Sequence, residues 1–241
     1  MGLDKTNANN STPRAQRAAG AFFGRRKTKP LKRSQERLFK ELLPRLNLDL
    51  ANTVPDNLVQ LFPTTPDKVI LEVGFGGGEH MIQRAIEQPD TGFIGCEPFI
   101  NGLGKALSAI SANQLTNIRL YDEDATDLLD WLPASSVDII YLLYPDPWPK
   151  KRHWKRRFAN ADNLQRFSRL LKPGGEFRFA SDIAHYVNWT LNLCERSNLF
   201  DWQANDCSDW QTPWPNWQST RYEAKALREG RVPTYLTFLK R

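Results

Sequence analysis

The sequence predicts a doubly wound α/β fold built on a mostly parallel sheet. Short, nearly continuous apolar segments recur along the chain, and segments with the spacing of amphipathic helices separate them. Apolar runs without alternation are typical of strands buried on both faces, as in parallel sheets covered by helices. The composition agrees, because 40% hydrophobic and 25% charged residues in a chain of 241 can form a sizeable core.

The predicted elements lie mainly between residue 66 and the C-terminus. Strands are predicted at 69–73, 92–96, 117–121, 137–144, 176–181 and near 234–239, and helices at 79–88, 101–113, 160–171 and 183–196. The run Lys172-Pro173-Gly174-Gly175 is predicted to end a helix and form a turn. Ahead of the sheet we expect a short helix with Ser34 as its N-cap.

The basic residues are concentrated in two clusters. The first lies between Arg14 and Arg33 and holds eight Lys and Arg residues, and the second lies between Lys150 and Arg157 and holds six. Without these fourteen, 19 bases remain against 27 acids, so two positive patches lie on an acidic body. Clustered Lys and Arg side chains bind phosphates favourably, because binding releases counterions and Arg forms forked hydrogen bonds. The clusters therefore favour a polyanion as the partner. Alternatively, the two clusters could be a solvated tail and a solvated helix face. An anionic membrane is a less favoured partner, because no amphipathic apolar face accompanies the arm.

Residues 1–33 are predicted to form a flexible basic arm, and residues 34–241 the folded domain. No apolar run could span a bilayer and no signal peptide is recognisable, so we expect a cytoplasmic protein. The three cysteines and three histidines lack the spacing of a disulfide framework or zinc site, so no metal is expected. We also expect a monomer or weak homodimer without an obligate protein partner.

A glycine-rich turn follows the first predicted strand, in the run Glu72-Val73-Gly74-Phe75-Gly76-Gly77-Gly78. Gly74 and Gly76 fall where a tight strand-to-helix turn and a closely bound ligand require the absence of side chains. A dinucleotide site would need Gly or Ala at residue 79, but Glu79 would repel a pyrophosphate. The pattern therefore favours a nucleoside without phosphates, such as S-adenosylmethionine, and disfavours a nicotinamide oxidoreductase.

Three carboxylates at successive strand ends support a nucleoside site. Glu97 ends the second predicted strand, where a carboxylate usually accepts hydrogen bonds from the two ribose hydroxyls. Asp124, after the third strand, could accept from an adenine amino group, and Glu72 could face the ammonium group of the cofactor. Each acid alone could instead be a loop carboxylate or a helix cap, so the prediction depends on the three occurring together with the glycine turn.

The fourth predicted strand ends in Tyr144-Pro145-Asp146-Pro147-Trp148-Pro149, and the second basic cluster follows at once. Three prolines in five residues restrict the backbone, so we expect Asp146 on a stiff loop at the sheet edge. There it would lie beside the sulfonium of the cofactor, with Lys150 and Arg152 able to take a phosphate. Asp182, after the fifth strand, could accept from the edge of a base. A rigid turn with Asp146 as an N-cap is the alternative.

These motifs resemble those of the bacterial tRNA (guanine-N7-)-methyltransferases. The resemblance runs from about residue 22 to the C-terminus and includes E-V-G-F-G-G-G at 72–78, G-C-E-P at 95–98 and D-A-T-D at 124–127. Its most specific parts are P-D-P-W-P-K-K-R-H-W-K-R-R at 145–157, S-D at 181–182 and T-R-Y-E-A-K at 220–225. One position departs from the family, because Pro149 stands where relatives often have His or another polar residue.

The resemblance implies a class I, Rossmann-like methyltransferase that uses S-adenosylmethionine and modifies guanine 46 in the variable loop of tRNA. Cofactor contacts are implied for Glu72, Glu97, Asp124 and Asp146, with Asp146 assigned to catalysis. Substrate contacts are implied for Lys150, Asp182, Thr220, Arg221, Tyr222 and Glu223.

The chemistry of the acceptor predicts a role for Asp146. Guanine N7 has an in-plane lone pair and no proton, so its attack on a sulfonium methyl group needs no general base. Asp146 is therefore predicted to orient the guanine or to stabilise cationic charge, rather than to remove a proton. Asp182 and Glu223 are further candidates for contacting the guanine edge, although Glu223 could instead form an ion pair with Arg221 or Lys225.

Two other functions remain open from the sequence. The first is another S-adenosylmethionine-dependent RNA base amino-methyltransferase, since Asp146-Pro147-Trp148 resembles the D-P-P-Y-like loop of such enzymes. The second is an RNA-binding scaffold that retains the fold without activity and binds no cofactor. The Trp-rich stretch at 202–217 is expected to pack against the domain, with a stacking surface or a partner site as alternatives.

Overall fold

The computed structural model describes residues 26–241, and residues 1–25 of the predicted arm lie outside the described residues. In this part of the chain, one seven-stranded sheet has the order β3-β2-β1-β4-β5-β7-β6. Its strands are β1 (Lys68–Val73), β2 (Thr91–Cys96), β3 (Ile118–Tyr121), β4 (Val137–Leu143), β5 (Leu171–Ser181), β6 (Phe200–Trp202) and β7 (Thr234–Lys240). Strands β1 to β5 pair in parallel, whereas β7 is antiparallel to β5 and β6. The predicted fold class is therefore confirmed.

Helices cover both faces of the sheet. Within residues 26–241 they are α1 (Arg33–Glu41), α2 (Leu43–Leu46), α3 (Glu79–Glu87), α4 (Ile100–Ala112), α5 (Ala125–Trp131), α6 (Ala161–Leu170), α7 (Ala184–Ser197), α8 (Ser208–Gln211) and α9 (Arg221–Arg228). Leu71 of β1 belongs to a buried cluster with side chains of α5, α6 and α7, and Ile70 to a second cluster with side chains of α3 and α4. Burial on both faces explains why the strands are continuously apolar.

Some elements differ from the prediction. Helices α5, α8 and α9 are not predicted from the sequence, and β6 lies within the Trp-rich stretch. The predicted turn at Lys172–Gly175 is instead a bulge inside β5, because pairing with β4 passes from Leu171 directly to Glu176. Ser34 as an N-cap is wrong, since α1 begins at Arg33 with Lys32 in the N-cap position.

The last residues of the predicted arm are held against the first turn of α4. The carbonyl oxygen of Arg26 accepts a hydrogen bond from the Ile100 N–H at 2.8 Å. The Asn101 side chain accepts from the Thr28 N–H at 2.9 Å and donates to the Lys29 carbonyl at 2.9 Å. Residues 26–29 are therefore docked on the domain.

Residues 26–241 contain neither a helix suited to a membrane span nor a cluster of side chains suited to a metal ion. No helix in this range combines the length and apolar character needed to cross a bilayer. In the same range, no three His, Cys, Asp or Glu side chains come together in a group that could hold a metal ion. Cys96, Cys194 and Cys207 are free thiols.

Candidate active site

A cleft of about 620 Å³ opens at the carboxyl ends of β1, β2 and β4. It lies where β1 is flanked by β2 on one side and β4 on the other, which is the switch point at which open α/β sheets bind ligands. Five of the predicted cofactor residues line it, namely Gly74, Gly76, Glu97, Asp124 and Asp146. Its volume is typical of small-molecule sites.

The glycine turn has the conformation for which glycine is required. Gly74, Gly76 and Gly78 have φ angles of 73°, 58° and 79°, in the left-handed region that side chains disfavour. Gly76 also lies close to the first turn of α9, since a methyl group there would be 3.5 Å from the Tyr222 ring and 3.7 Å from Arg221 Nη2. The turn therefore forms a cleft wall with little side-chain bulk next to α9.

Glu97 joins the glycine turn to the start of α4. It is 7% exposed, and its Oε2 accepts from the Gly76 N–H at 2.6 Å while its Oε1 accepts from the Phe99 N–H at 2.9 Å. Burial raises the pKa of the Glu97 carboxyl to about 7, although both N–H donors oppose the shift. Each carboxylate oxygen has a second lone pair, so Glu97 can also accept hydrogen bonds from a ligand in the cleft.

Asp124 is a helix cap, which is the alternative considered from the sequence, and it also lies in the cleft wall, where its contact with a cofactor stays a prediction. Its Oδ1 accepts from the Thr126 N–H at 2.9 Å, which caps α5, and the residue also lines the cleft. Next to it lies Cys96, which the sequence analysis did not assign to the site. Burial raises the pKa of the Cys96 thiol well above its usual value, so it is a neutral part of the wall.

Glu72 does not line the cleft with the other predicted cofactor residues. It is 3% exposed, and its Oε2 lies 2.6 Å from Nδ1 of His80 in α3. The His80 ring lies against Tyr141 and Trp217, with ring centroids 4.6 and 5.0 Å away. Neighbouring residues of a strand face opposite sides, and only the next residue, Val73, lines the cleft. The cofactor contact of Glu72 stays a prediction.

Asp146 lies on the cleft wall in a loop that is unusual at both ends. Tyr144 and Trp148 have φ angles of 48° and 44°, which bulky residues rarely adopt. Although the Asp146 side chain remains in contact with solvent, desolvation by the surrounding protein raises the pKa of its carboxyl. The loop thus presents a carboxylate at the cleft.

Bases that follow this loop line the same cleft. Lys155, Arg156 and Arg157 are among its lining residues, whereas Lys150 and Arg152, the predicted phosphate ligands, are exposed and do not line it. Thr28 of the docked arm end is also part of the lining. The fold therefore brings a residue from the range of the first basic cluster to the same cleft as bases of the second cluster, which their separation of more than a hundred residues does not reveal.

Two predicted substrate carboxylates are engaged inside the protein. Asp182 accepts from Arg231 Nε at 2.5 Å. Glu223 is 3% exposed and accepts from Trp217 Nε1 at 2.7 Å and from the Tyr235 hydroxyl. The considered ion pair of Glu223 with Arg221 is not formed among the described contacts.

The segment from Thr220 to Tyr222 starts α9 at the cleft. Thr220 Oγ1 accepts from the Glu223 N–H at 3.2 Å and caps the helix. Arg221 Nη2 donates to the Tyr222 hydroxyl at 2.9 Å, and Tyr222, which is 46% exposed, lines the cleft. The helix cap therefore places Tyr222 next to the glycine turn.

Three of the four Trp side chains in the Trp-rich stretch, Trp210, Trp214 and Trp217, pack against the domain, as expected, while most of the other residues there are exposed. Trp214 lies 5.7 Å from Tyr141 and 5.4 Å from Trp217, measured between ring centroids, and its Nε1 donates to Thr237 Oγ1 at 2.8 Å. Trp202 is more open, with 41% of its surface exposed. This stretch thus covers the sheet face that carries the Glu72–His80 pair.

Comparison with known proteins agrees with this site. Residues 66–235 match the profile of a family described as "Putative methyltransferase". The chain belongs to this methyltransferase family. A tRNA (guanine-N(7)-)-methyltransferase of Agrobacterium fabrum is 59% identical over 228 residues, covering 95% of this chain and 98% of that protein. A protein of the same name from Rhizobium meliloti is 59% identical over 225 residues, covering 93% and 97%.

Solved structures of methyltransferases share the fold. The 16S rRNA methyltransferase KamB has a TM-score of 0.53 at 15% identity and covers 78% of this chain and 95% of its own. The aminoglycoside resistance methyltransferase NpmB1 has a TM-score of 0.50 at 18% identity, covering 74% and 89%. At such low identity these similarities establish the fold alone.

Proposed function

We propose that this methyltransferase transfers a methyl group from S-adenosylmethionine to N7 of guanine 46 in tRNA. The observation that carries the proposal is a single cleft that Glu97 and Asp146 line together with the bases Lys155 and Arg156. The relatives at 59% identity, which are named tRNA (guanine-N(7)-)-methyltransferases, support the same reaction.

The residues of the cleft fit S-adenosylmethionine. The glycine turn leaves room for close approach of the ligand, and the unused lone pairs of Glu97 suit the two ribose hydroxyls. Phe99, Ala125 and Leu142 supply apolar wall for an adenine ring, with Asp124 beside them for its amino group. When bound, the cofactor supplies an electrophilic methyl group on a sulfonium centre.

Asp146 orients the acceptor in the proposed mechanism. A carboxylate can accept from the neighbouring N1–H and amino group of guanine, which leaves the N7 lone pair for the methyl group. No residue has to remove a proton, so positioning is the main contribution, and oriented systems gain roughly 7 to 11 kcal/mol from it. Desolvation at the cleft, which raises the Asp146 pKa, also strengthens hydrogen bonds made to its ionised form.

The test of this function is product identification. The full chain is incubated with labelled S-adenosylmethionine and bulk tRNA, and the tRNA is digested to nucleosides for mass spectrometry. We expect 7-methylguanosine among the nucleosides, and a parallel digestion to oligonucleotides should locate it at position 46. A base methylated on its exocyclic amine would support the amino-methyltransferase instead. If calorimetry detected no binding of S-adenosylhomocysteine, the RNA-binding scaffold would be the better assignment.

Asp146→Asn tests the orienting role. The Asn side chain places an N–H donor toward the N1–H and amino donors of guanine, so it cannot orient the base as the carboxylate does. We therefore expect the single-turnover rate to fall by roughly 10²-fold. Asp138→Asn is the matched control, because Asp138 lies near the other end of β4, where it accepts from the Val69 N–H and pairs with Lys172. A wild-type single-turnover rate for Asp146→Asn would remove the role.

A further inference from the structure

The loop that carries Asp146 needs an external support. Tyr144 and Trp148, on either side of it, have φ angles of 48° and 44°. Non-glycine residues in this region cost about 1 to 3 kcal/mol each and persist only where surrounding contacts hold them. Prolines at 145, 147 and 149 remove three backbone donors that could otherwise fix the loop.

The second basic cluster supplies this support by folding back on the loop. Lys151–Arg156 form a 3₁₀ helix, whose tight turn brings the following residue close to the prolines. Trp154 Nε1 donates to the Pro149 carbonyl at 3.4 Å, and the Arg156 guanidinium lies 5.0 Å from the Trp148 ring. Arg157 Nε donates to the Pro147 carbonyl at 2.9 Å, directly after Asp146.

Arg157 differs from the other bases of the cluster in its burial. It is 1% exposed, whereas Lys150, Lys151, Arg152 and Lys155 are exposed. Arg157 is among the residues that line the cleft, but almost none of its surface is open to solvent, so its guanidinium cannot reach a phosphate on the tRNA backbone without a rearrangement. The sequence alone gives no reason to assign Arg157 a different role from its neighbours, because all of them are bases in one short segment.

The surroundings of Arg157 suit a guanidinium and no other cation. Its Cζ lies 5.2, 4.8 and 5.1 Å from the ring centroids of Trp154, Tyr186 and Trp189. Its Nη2 lies 3.0 Å from His185 Nδ1, and its Nη1 has no hydrogen-bond partner among residues 26–241. Aromatic faces stabilise a planar cation that lies within about 6 Å of the ring centroids, and a lysine cannot reproduce the fixed Nε direction.

We propose that Arg157 is a positioning residue, which holds Asp146 at the cleft through the Pro147 carbonyl and is not a phosphate ligand. This inference rests on the proposed function, since it concerns the orientation of the acceptor guanine. It divides the second cluster into the exposed bases, which meet tRNA, and the buried Arg157, which shapes the active site.

Arg157→Lys is the principal variant, because it retains the charge and loses the Nε–H donor. We expect its single-turnover rate at saturating tRNA to fall by up to about 10²-fold. Its affinity for S-adenosylhomocysteine and the salt dependence of its tRNA binding should be unchanged, whereas Lys151→Gln should reduce the salt slope by about 1. Arg169→Lys is the matched control, since Arg169 donates to the Leu129 and Leu132 carbonyls and should keep the wild-type rate.

A double-mutant cycle with Asp146→Asn separates positioning from general stability. If Arg157 acts through Asp146, Arg157→Lys should lower the rate much less in the Asp146→Asn background than in the wild type. Trp154→Phe, which removes the Nε1 bond to Pro149 and keeps an aromatic ring beside Arg157, is a milder second variant and should lower the rate in the same coupled way.

Three outcomes would overturn the proposal. They are a wild-type rate for Arg157→Lys, a salt slope reduced by about 1 in that variant, or an equal loss of rate with and without the Asp146 carboxylate. Failure of the proposed function is distinct, because the wild-type chain would then form no 7-methylguanosine.

Discussion

At the scale of the residue, Glu97 links local structure to ligand binding. It uses one lone pair of each oxygen for a backbone N–H, of Gly76 and of Phe99, and remains buried. A buried carboxylate is costly to ionise, which is the physical reason that burial raises its pKa to about 7. Because this value is near neutral pH, small changes of pH alter the charge state of the proposed ribose contact.

Cofactor affinity should depend on this ionisation. If ribose hydroxyls donate to the carboxylate, the ligand binds the ionised form, so its Kd should rise about tenfold as pH falls from 8 to 6. The stability of the ligand-free protein should change with pH in the opposite direction. The raised pKa of Glu97 contributes fully to the free energy of unfolding below pH 4.5, and this contribution is lost as pH rises through about 7.

Calorimetry with S-adenosylhomocysteine at several pH values measures this dependence. Glu97→Gln is the control, since glutamine cannot ionise. This variant should bind S-adenosylhomocysteine weakly, and its Kd should not change near pH 7. A wild-type Kd that stays constant from pH 8 to 6 would contradict the assignment of Glu97 to the ribose.

At the scale of the element, α4 packs directly on the glycine turn. A Cβ added to Gly102 in its first turn would overlap the carbonyl oxygen of Gly76, which is backbone and cannot rotate away. A Cβ at Gly104, two residues further along, would meet the side chains of Gln35 and Leu31 at 3.3 Å. The helix and the turn therefore form one rigid wall, and only one of these glycines is required for it.

Gly102→Ala and Gly104→Ala should have different effects on the free energy of unfolding. We expect Gly102→Ala to lower the free energy of unfolding by about 1 to 3 kcal/mol through overpacking, and to weaken S-adenosylhomocysteine binding. Gly104→Ala should be neutral or up to about 1 kcal/mol more stable, because alanine favours the helix. Urea denaturation and calorimetry of both variants test this, and equal effects would contradict it.

At the scale of the whole molecule, the positive charge is concentrated in the two basic clusters, and the ranges of both contribute residues to the cleft lining. The described residues include nine exposed bases of these clusters, which are Arg26, Lys27, Lys29, Lys32, Arg33, Lys150, Lys151, Arg152 and Lys155. The remaining chain is acidic, so electrostatic attraction directs a polyanion to this side. Burial of Arg157 removes one of the six bases of the second cluster from this surface.

Binding of tRNA should therefore depend steeply on salt. If about six to ten phosphates are contacted, the association constant should fall roughly 10³- to 10⁵-fold between 50 and 200 mM salt. Filter binding or fluorescence anisotropy with unmodified tRNA measures the slope, and S-adenosylhomocysteine binding serves as the comparison. A flat response would contradict a phosphate-binding surface made from the two clusters.

The sequence by itself determined the fold class, the glycine turn and the position of Glu97, Asp124 and Asp146 at strand ends. Parallel strands direct their carboxyl ends to one edge, so residue order alone brings such side chains together. The seven residues Ala125–Trp131 that follow the Asp124 cap could not be recognised as a helix, because a segment this short shows little periodicity.

Only the tertiary structure decided which polar side chains face the cleft. Glu72 meets His80, Glu223 meets Trp217 and Arg157 meets Pro147, and each contact depends on how elements distant in sequence pack. Burial also separates bases that look identical in sequence, since an arginine surrounded by three aromatic rings holds a loop while an exposed lysine can meet a phosphate. Residue type sets what chemistry is available, and packing sets where each group is used.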